Sequence, residues 1–302
     1  VEICGFEDAE TSDVEVADDG RVTVLTGAAS HGQGHETAFA QLVADELQVP
    51  IESVAVVHGD TARVRSGVGT FGSRSIAKGG MHALANAVVV KDKAQRLAAT
   101  LLEAAPEDIV HADGKFAVRG LPDRSVSWAQ VAAAAKGALT SCGDITGNGT
   151  LFPFGSHVAM VEVDGETGRP RMLRYMSVDD AGFLINPLLV QGQVHGGLAQ
   201  GIGQALLEEA VFDESAQLVS STLMDYALPR ADDLIAFDND HTRTDSPRTA
   251  LGVKGIGEAA TIGSTPAIAN AVLDALAPLG VKHVDLPLTA PKIWAAMRAA
   301  KR

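Results

Sequence analysis

Apolar residues recur with a period of two in several short stretches and with a period near 3.6 in longer ones, so strands and helices can be placed before any chemistry is considered. Residues 1–4 read as a β segment already under way, and the chain is expected to continue upstream of it. Residues 14–16 and 21–25 alternate around Asp19-Gly20, a hairpin signal. A helix is predicted over 36–47 with Phe39, Leu42, Val43 and Leu47 on its apolar face, followed by a buried strand at 54–57. An alanine-rich helical pattern covers 76–105 and stops at Pro106. A hairpin at Asp113-Gly114 and a short helix over 128–135 complete this half.

Residues 140–150, rich in glycine, make the best linker, and a boundary is placed there: one lobe over 1–145, a second over 146–302. The second half opens with alternating segments at 157–163 and 171–178 joined by a turn at Glu166-Thr167-Gly168. A helix follows over 188–210, interrupted by Gly192, Gly196 and Gly197. Each such glycine costs about 1 kcal/mol relative to alanine, which implies close packing or a close ligand. Residues 213–218 form a turn, 224–228 a strand, and 229–247 a polar connection. Ser264 and Thr265 offer an N-cap with Pro266 at the first helical position, and the apolar run 267–276 reads as that helix. A last strand at 284–286 and a terminal helix over 291–300 close the chain. The fold class is α+β, with two related mixed α/β lobes.

Composition narrows the function. The chain has 302 residues, 46% hydrophobic and 21% charged, enough for a full globular core. Its formal net charge of −14, without a basic run, argues against a nucleic-acid partner. The acidic residues from Glu7 to Glu15 are expected to form a solvated face. No apolar run reaches the length of a membrane span and no signal peptide opens the chain, so a cytoplasmic location is expected. Two cysteines, Cys4 and Cys142, are too few for a disulfide framework or a metal cluster of this chain's own, so any iron–sulfur centre is expected on a partner.

Three glycine-rich stretches carry the candidate chemistry. Gln33 and His35 sit beside glycines at a helix start, where amide and backbone N–H groups suit a polar heterocycle or a pyrophosphate, or where His35 satisfies a carbonyl. Thr70, Ser73 and Ser75 place three hydroxyls before the next helix, more than capping requires. Gly255-Ile256-Gly257-Glu258 presents one carboxylate at a tight turn. Gln193, flanked by glycine like Gln33, hints at an internal repeat in which two lobes close around one ligand. No Gly-x-Ser-x-Gly elbow supports a hydrolase using Ser73 or Ser264 with His35, and no strand-GxGxxG-helix unit or Walker loop supports a nicotinamide-binding domain.

Four motifs in order resemble one family: GQGHETAFAQLVADEL at 32–47, GTFGSRS at 69–75, DDAGFLINPLLVQGQVHGGLAQGIG at 179–203 and VKGIGEAATIGSTPAIANAV at 253–272. The chain resembles the C-terminal half of the large subunit of molybdenum hydroxylases, the family of xanthine dehydrogenase, aldehyde oxidoreductase and aerobic carbon-monoxide dehydrogenase, and is most similar to the bacterial branch. The resemblance implies two lobes of the molybdenum cofactor-binding type and molybdopterin cytosine dinucleotide as cofactor. It makes Glu258 the base that takes a proton from a hydroxyl on molybdenum, after which the oxygen attacks an electrophilic carbon and hydride passes to a sulfido ligand. Gln33 and Gln193 would hydrogen-bond the pterin or the oxo ligand. Gly34, His35, Thr70, Phe71, Gly72, Ser73, Asp180, Lys254 and Gly255 would line the cofactor. The substrate would be an aldehyde, N-heterocycle or similar small molecule, with carbon monoxide or a non-catalytic, cofactor-holding scaffold as alternatives. Partners would be the complementary N-terminal half of the large subunit, an Fe-S subunit and an FAD subunit, so the chain reads as one piece of a split or processed subunit. Phe71 stands where some relatives carry tyrosine.

Overall fold

The computed structural model describes residues 1–5, 10–143 and 149–300. The Asp19-Gly20 turn joins strands β1 (Ser12–Val16) and β2 (Val22–Thr26) in antiparallel register, Val14 opposite Val24. Helix α1 (His35–Leu47) returns the chain so that β3 (Val54–Val57) adds parallel to β2. A π-helical turn (Ile76–Gly80) runs into α2 (Met81–Leu101). Strands β4 (Ile109–Ala112), β5 (Lys115–Val118) and β6 (Leu121–Ser127) form a small meander, α3 (Trp128–Ala135) follows, and β7 (Thr140–Ser141) pairs with β1 to complete a sheet ordered β3-β2-β1-β7. Val14, Val24, Phe39, Val43, Leu47, Ala87 and Val90 meet between this sheet and α1 and α2, with Phe116 and Trp128 continuing the same core. Burying such side chains contributes about 1.5–3 kcal/mol each.

The second half is a sheet ordered β10-β9-β8 covered by two helices. Strands β8 (Phe154–Val163) and β9 (Pro170–Asp180) form a long antiparallel pair. Helix α4 (Pro187–Leu206) follows, β10 (Phe237–Thr242) adds parallel to β9, and α5 (Ala259–Leu276) and α6 (Ala290–Ala300) end the chain. The glycines of α4 divide by role. A Cβ on Gly197 would lie 2.8 Å from the Ala260 Cβ, and one on Gly201 would lie 1.8 Å from Ser264 Oγ, so α4 and α5 cross where only a hydrogen fits. Gly192 and Gly196 face open space.

Several expectations change. The helical pattern over 76–105 is a π-helical turn followed by an α-helix that ends at Leu101, where Gly79 and Gly80 let the chain press against Phe39 and Leu42. Helix α5 starts at Ala259, not at Ser264-Thr265-Pro266. Pro266 lies inside it, and the hydroxyls of Ser264 and Thr265 turn back to the Thr261 carbonyl at 3.4 Å each. Residues 224–228 and 284–286 form no strand, whereas β10 arises within the polar connection, because an edge strand exposed on most of its length needs no apolar alternation. The acidic cluster lies in part outside the described residues. Where it is described, Glu10 and Asp13 are buried rather than solvated, paired with Arg74 and Arg65. The proposed linker also lies partly outside the described residues. At its start, β7 is tied into the first sheet.

Candidate functional site

Four helix starts meet at one cavity of about 500 Å³ between the two sheets' helices. Gln33 and His35 come from the start of α1, Ser75 and Ile76 from the π-helical turn before α2, Asn186 and Leu189 from the start of α4, and Gly257 and Glu258 from the start of α5. Three of these starts, at Gly34, Ser75 and Glu258, have no side-chain cap, so first-turn N–H groups remain for another partner. Gly34 takes a left-handed φ of 80°, and a Cβ there would lie 2.7 Å from the Leu189 side chain, so the α1 and α4 starts are in contact. Asn186 donates from Nδ2 to Gln41 Oε1 at 2.9 Å, fastening them further.

The acid is held by the middle loop. Ser73 Oγ donates to Glu258 Oε2 at 3.2 Å, and the Glu258 N–H donates back to Ser73 Oγ at 2.9 Å. Ser73 adopts φ 50°, an uncommon conformation for a non-glycine residue, consistent with a turn fixed from both sides. A Cβ on Gly255 would lie 1.9 Å from the Ser73 carbonyl oxygen, so the two loops pass at backbone contact. A Cβ on Gly257 would lie 3.5 Å from Ser73 Oγ and 3.8 Å from Gln193 Oε1, which puts the Gln193 amide beside the same turn.

Lys254 lines the cavity from a buried ion pair. Its Nζ donates to Asp180 Oδ1 at 2.8 Å and lies 4.6 Å from the Phe154 ring centre. Asp180 also accepts from the Gly182 N–H and from Thr242 Oγ1, each at 3.1 Å. Burial would raise the Asp180 carboxyl, but hydrogen bonds from Lys254, Gly182 and Thr244 outweigh it and hold the group at about 2. Burial, opposed by the Ala28 hydrogen bond, keeps the His35 imidazole below the usual range. Nδ1 lies 3.1 Å from the Ala28 carbonyl, an acceptor, so the proton sits on that nitrogen.

The model of the molybdopterin cofactor-binding domain matches residues 1–235. The chain belongs to that family. It is 33% identical over 305 residues to the carbon monoxide dehydrogenase large chain of Hydrogenophaga pseudoflava, covering 98% of this chain and 38% of the relative. It is 40% identical over 297 residues to the 6-hydroxypseudooxynicotine dehydrogenase complex subunit gamma of Paenarthrobacter nicotinovorans, covering 94% and 37%. The crystal structure of a Cu,Mo-CO dehydrogenase in its carbon monoxide reduced state superimposes with a TM-score of 0.90 at 32% identity, over 98% of this chain and 38% of that one. The α+β fold is therefore that of the molybdenum-binding family, and the chain spans well under half of these relatives.

Within this molybdopterin-binding fold the residues singled out from sequence separate into two groups. Gln33, His35, Thr70, Phe71, Gly72, Ser73, Gln193, Lys254 and Glu258 line the cavity. Gly34, Asp180 and Gly255 lie behind the wall: Gly34 at the α1–α4 contact, Asp180 under Lys254, and Gly255 against Ser73. The Thr70 hydroxyl is spent on the Ala29 carbonyl at 2.6 Å and accepts from Ser75 at 3.1 Å, so both shape the loop. Phe71 stands half in solvent at 43% exposure with the Arg74 guanidinium 5.4 Å from its ring. His31 lines the cavity as well. Sequence reasoning missed Phe183, Ile185 and Asn186, which also line it. Asn186 accepts from the Leu189 N–H at 3.1 Å, and its Asn-Pro pair was the available signal for a helix starting at Pro187.

Proposed function

We propose that this chain is the cofactor-holding and proton-handling part of the catalytic subunit of a molybdenum hydroxylase, oxidising an aldehyde, N-heterocycle or similar small molecule with water as oxygen source. The observation that carries this reading is the convergence of four helix starts and Glu258 on one cavity. Uncapped N–H groups and helix dipoles favour an anion, so a pyrophosphate fits, and molybdopterin cytosine dinucleotide is the cofactor form inferred. Gln33 and Gln193 offer both donors and acceptors for a pterin, and Lys254 supplies positive charge. No three His, Cys, Asp or Glu side chains converge as a metal site among the described residues, so a pterin rather than protein side chains would carry the metal.

When bound, the molybdenum cofactor supplies a two-electron oxidation whose oxygen comes from water. The residues of this chain do the rest. Glu258, aimed by Ser73, is the base that takes up a proton. Gln193 orients a polar group beside it, while Phe183 and Ile185 exclude water from the inner wall. The same reading divides the chain into lobes 1–145 and 146–302, each with its own core, and places the complex in the cytoplasm. No helix among the described residues is long and apolar enough to cross a membrane. Electrons would leave through an Fe-S subunit to an FAD subunit, and the remainder of the large subunit would complete the pocket.

Turnover of the assembled enzyme in isotopically labelled water tests the reaction class. Label is expected in the oxidised product, in proportion to molybdenum content. Unlabelled product from a molybdenum-loaded enzyme would remove the hydroxylase reading. The likeness to a Cu,Mo-CO dehydrogenase supports a second reading, a carbon monoxide dehydrogenase fragment, and copper found beside molybdenum would favour it.

A further inference from the structure

Two adjacent acids end β9, and the chemistry above uses only one of them. Successive strand residues point to opposite faces of a sheet, so Asp180 meets Lys254 on one side while Asp179 points the other way, towards the face that α4 and α5 cover. There it meets His157 of β8. The imidazole Nε2 lies 3.1 Å from Asp179 Oδ1 and Nδ1 lies 2.8 Å from the Tyr175 hydroxyl, so the ring is held at both nitrogens. The side chains of His157 and Asp179 are 5% and 4% exposed, and Tyr175 is fully enclosed. In the ladder His157 stands opposite Ser177, which makes Tyr175 and Asp179 its two diagonal neighbours. Gly155 stands opposite Asp179, and a Cβ on it would overlap Asp179 Oδ1, so the carboxyl group rests on the β8 backbone.

The ring faces α5. A Cβ on Gly263 would lie 2.7 Å from His157 Nε2 and Cδ2 and 2.8 Å from Cε1, closer than a Cβ atom can come, so helix backbone and imidazole are in contact. The same helix is pressed against Gly197 and Gly201 of α4, where again only a hydrogen fits. It is thus held between α4 and an imidazole that two hydrogen bonds keep from turning.

Glu258 is the N-cap of α5, and Gly263 follows it about 7.5 Å along the helix axis. Lys254 precedes Glu258 by about one helical turn's worth of residues. The stretch that carries the acid is therefore fastened on both sides by the end of β9: upstream by Asp180 through Lys254, downstream by Asp179 through His157. Packing alone does not account for Asp179. Its Oδ2 is buried and has no hydrogen-bond partner among the described residues, a cost to stability that an apolar core would avoid.

We propose that His157 is a positioning residue for Glu258. Held by Tyr175 and Asp179, its ring sets how far the first turns of α5 stand from the sheet, and with them the reach of the Glu258 carboxylate into the cavity. The inference rests on the reading of Glu258 as the base.

The test uses the assembled enzyme with Gly263→Ala, with His157→Ala, and with the two changes together. Alanine is the better helix former, so Gly263→Ala would be harmless at a position that touched nothing. Against a fixed imidazole the added methyl must push α5 away. In Gly263→Ala, kcat per bound molybdenum is expected to fall by about 10–100-fold with KM within about twofold, because a small misplacement of a reacting group costs that much rate. His157→Ala removes the seat of the helix and should lower kcat similarly. In the double variant the methyl enters the space the ring has left, so kcat should match that of His157→Ala to within about twofold.

An unchanged kcat per bound molybdenum in Gly263→Ala would overturn the proposal even if the denaturation midpoint fell, because a seat that serves stability alone moves the midpoint and not the rate. Losses that multiply in the double variant would overturn it too, since the two positions would then act independently. Should the His157 variants fail to assemble, Gly263→Ala alone decides. The functional reading is tested separately: if Glu258→Gln loses turnover while Gly263→Ala keeps it, Glu258 remains the base and only this inference falls.

Discussion

Replacing Glu258 with glutamine is expected to lower turnover by about 10²–10⁴-fold while leaving the molybdenum and pterin content of the assembled enzyme intact, a loss of about 3–5 kcal/mol of transition-state stabilisation. The amide can still accept the Ser73 hydroxyl, so the turn that Ser73 and Gly255 hold together should survive. What glutamine cannot do is bind a proton. Because Ser73 acts through Glu258, Ser73→Ala should cost much less than Glu258→Gln, and its effect should fall on kcat. Steady-state kinetics beside metal analysis check both. Full turnover in Glu258→Gln would reduce the chain to a scaffold that merely holds a cofactor.

The largest expected effect on stability is at Asp180. Truncating it to alanine strands the Lys254 ammonium, which is 6% exposed and loses its carboxylate partner, and should cost about 3–5 kcal/mol. Denaturant midpoints would show this, and Asp180→Ala combined with Lys254→Met should recover part of the loss, since the penalty comes from the unpaired charge. The pH dependence has a fixed sign. The Asp180 carboxyl sits at about 2, below the ordinary 3.8, so its contribution is present above about pH 4 and is lost as pH falls through about 2. Lys254 also donates its backbone N–H to the Ala181 carbonyl at 2.8 Å, so loss of the pair should loosen the cavity wall and lower cofactor occupancy too.

Much of this site could be read from the chain because its parts are local. Glycine next to a polar residue at the head of an apolar period marks a helix start with a ligand in mind, and the starts at His35 and Ile76 were found that way. The start of α5 was displaced by a stronger local signature, Ser-Thr-Pro, although the small residues upstream of it continue the helix to Ala259. That displacement matters, because the structure sets Glu258 itself at the N-cap rather than on a loop before the helix. Asp180 was placed among cofactor residues because its motif is, yet its neighbours in space, Lys254 and Thr242, make it the support of the wall. Glu2 gave no signal at all. Its burial depends on a partner far along the chain, since its N–H donates to the Pro153 carbonyl.

The central claim is that the cavity formed by the four helix starts is the seat of the molybdenum cofactor, with Glu258 at the metal. Anomalous scattering at the molybdenum edge from crystals of the assembled enzyme measures this directly. The peak is expected inside the cavity bordered by Gln193, Ser73 and Glu258, with nucleotide density running towards the starts of α1 and α4. A molybdenum peak elsewhere on the chain, or one in the cavity but out of reach of the Glu258 carboxylate, would contradict it.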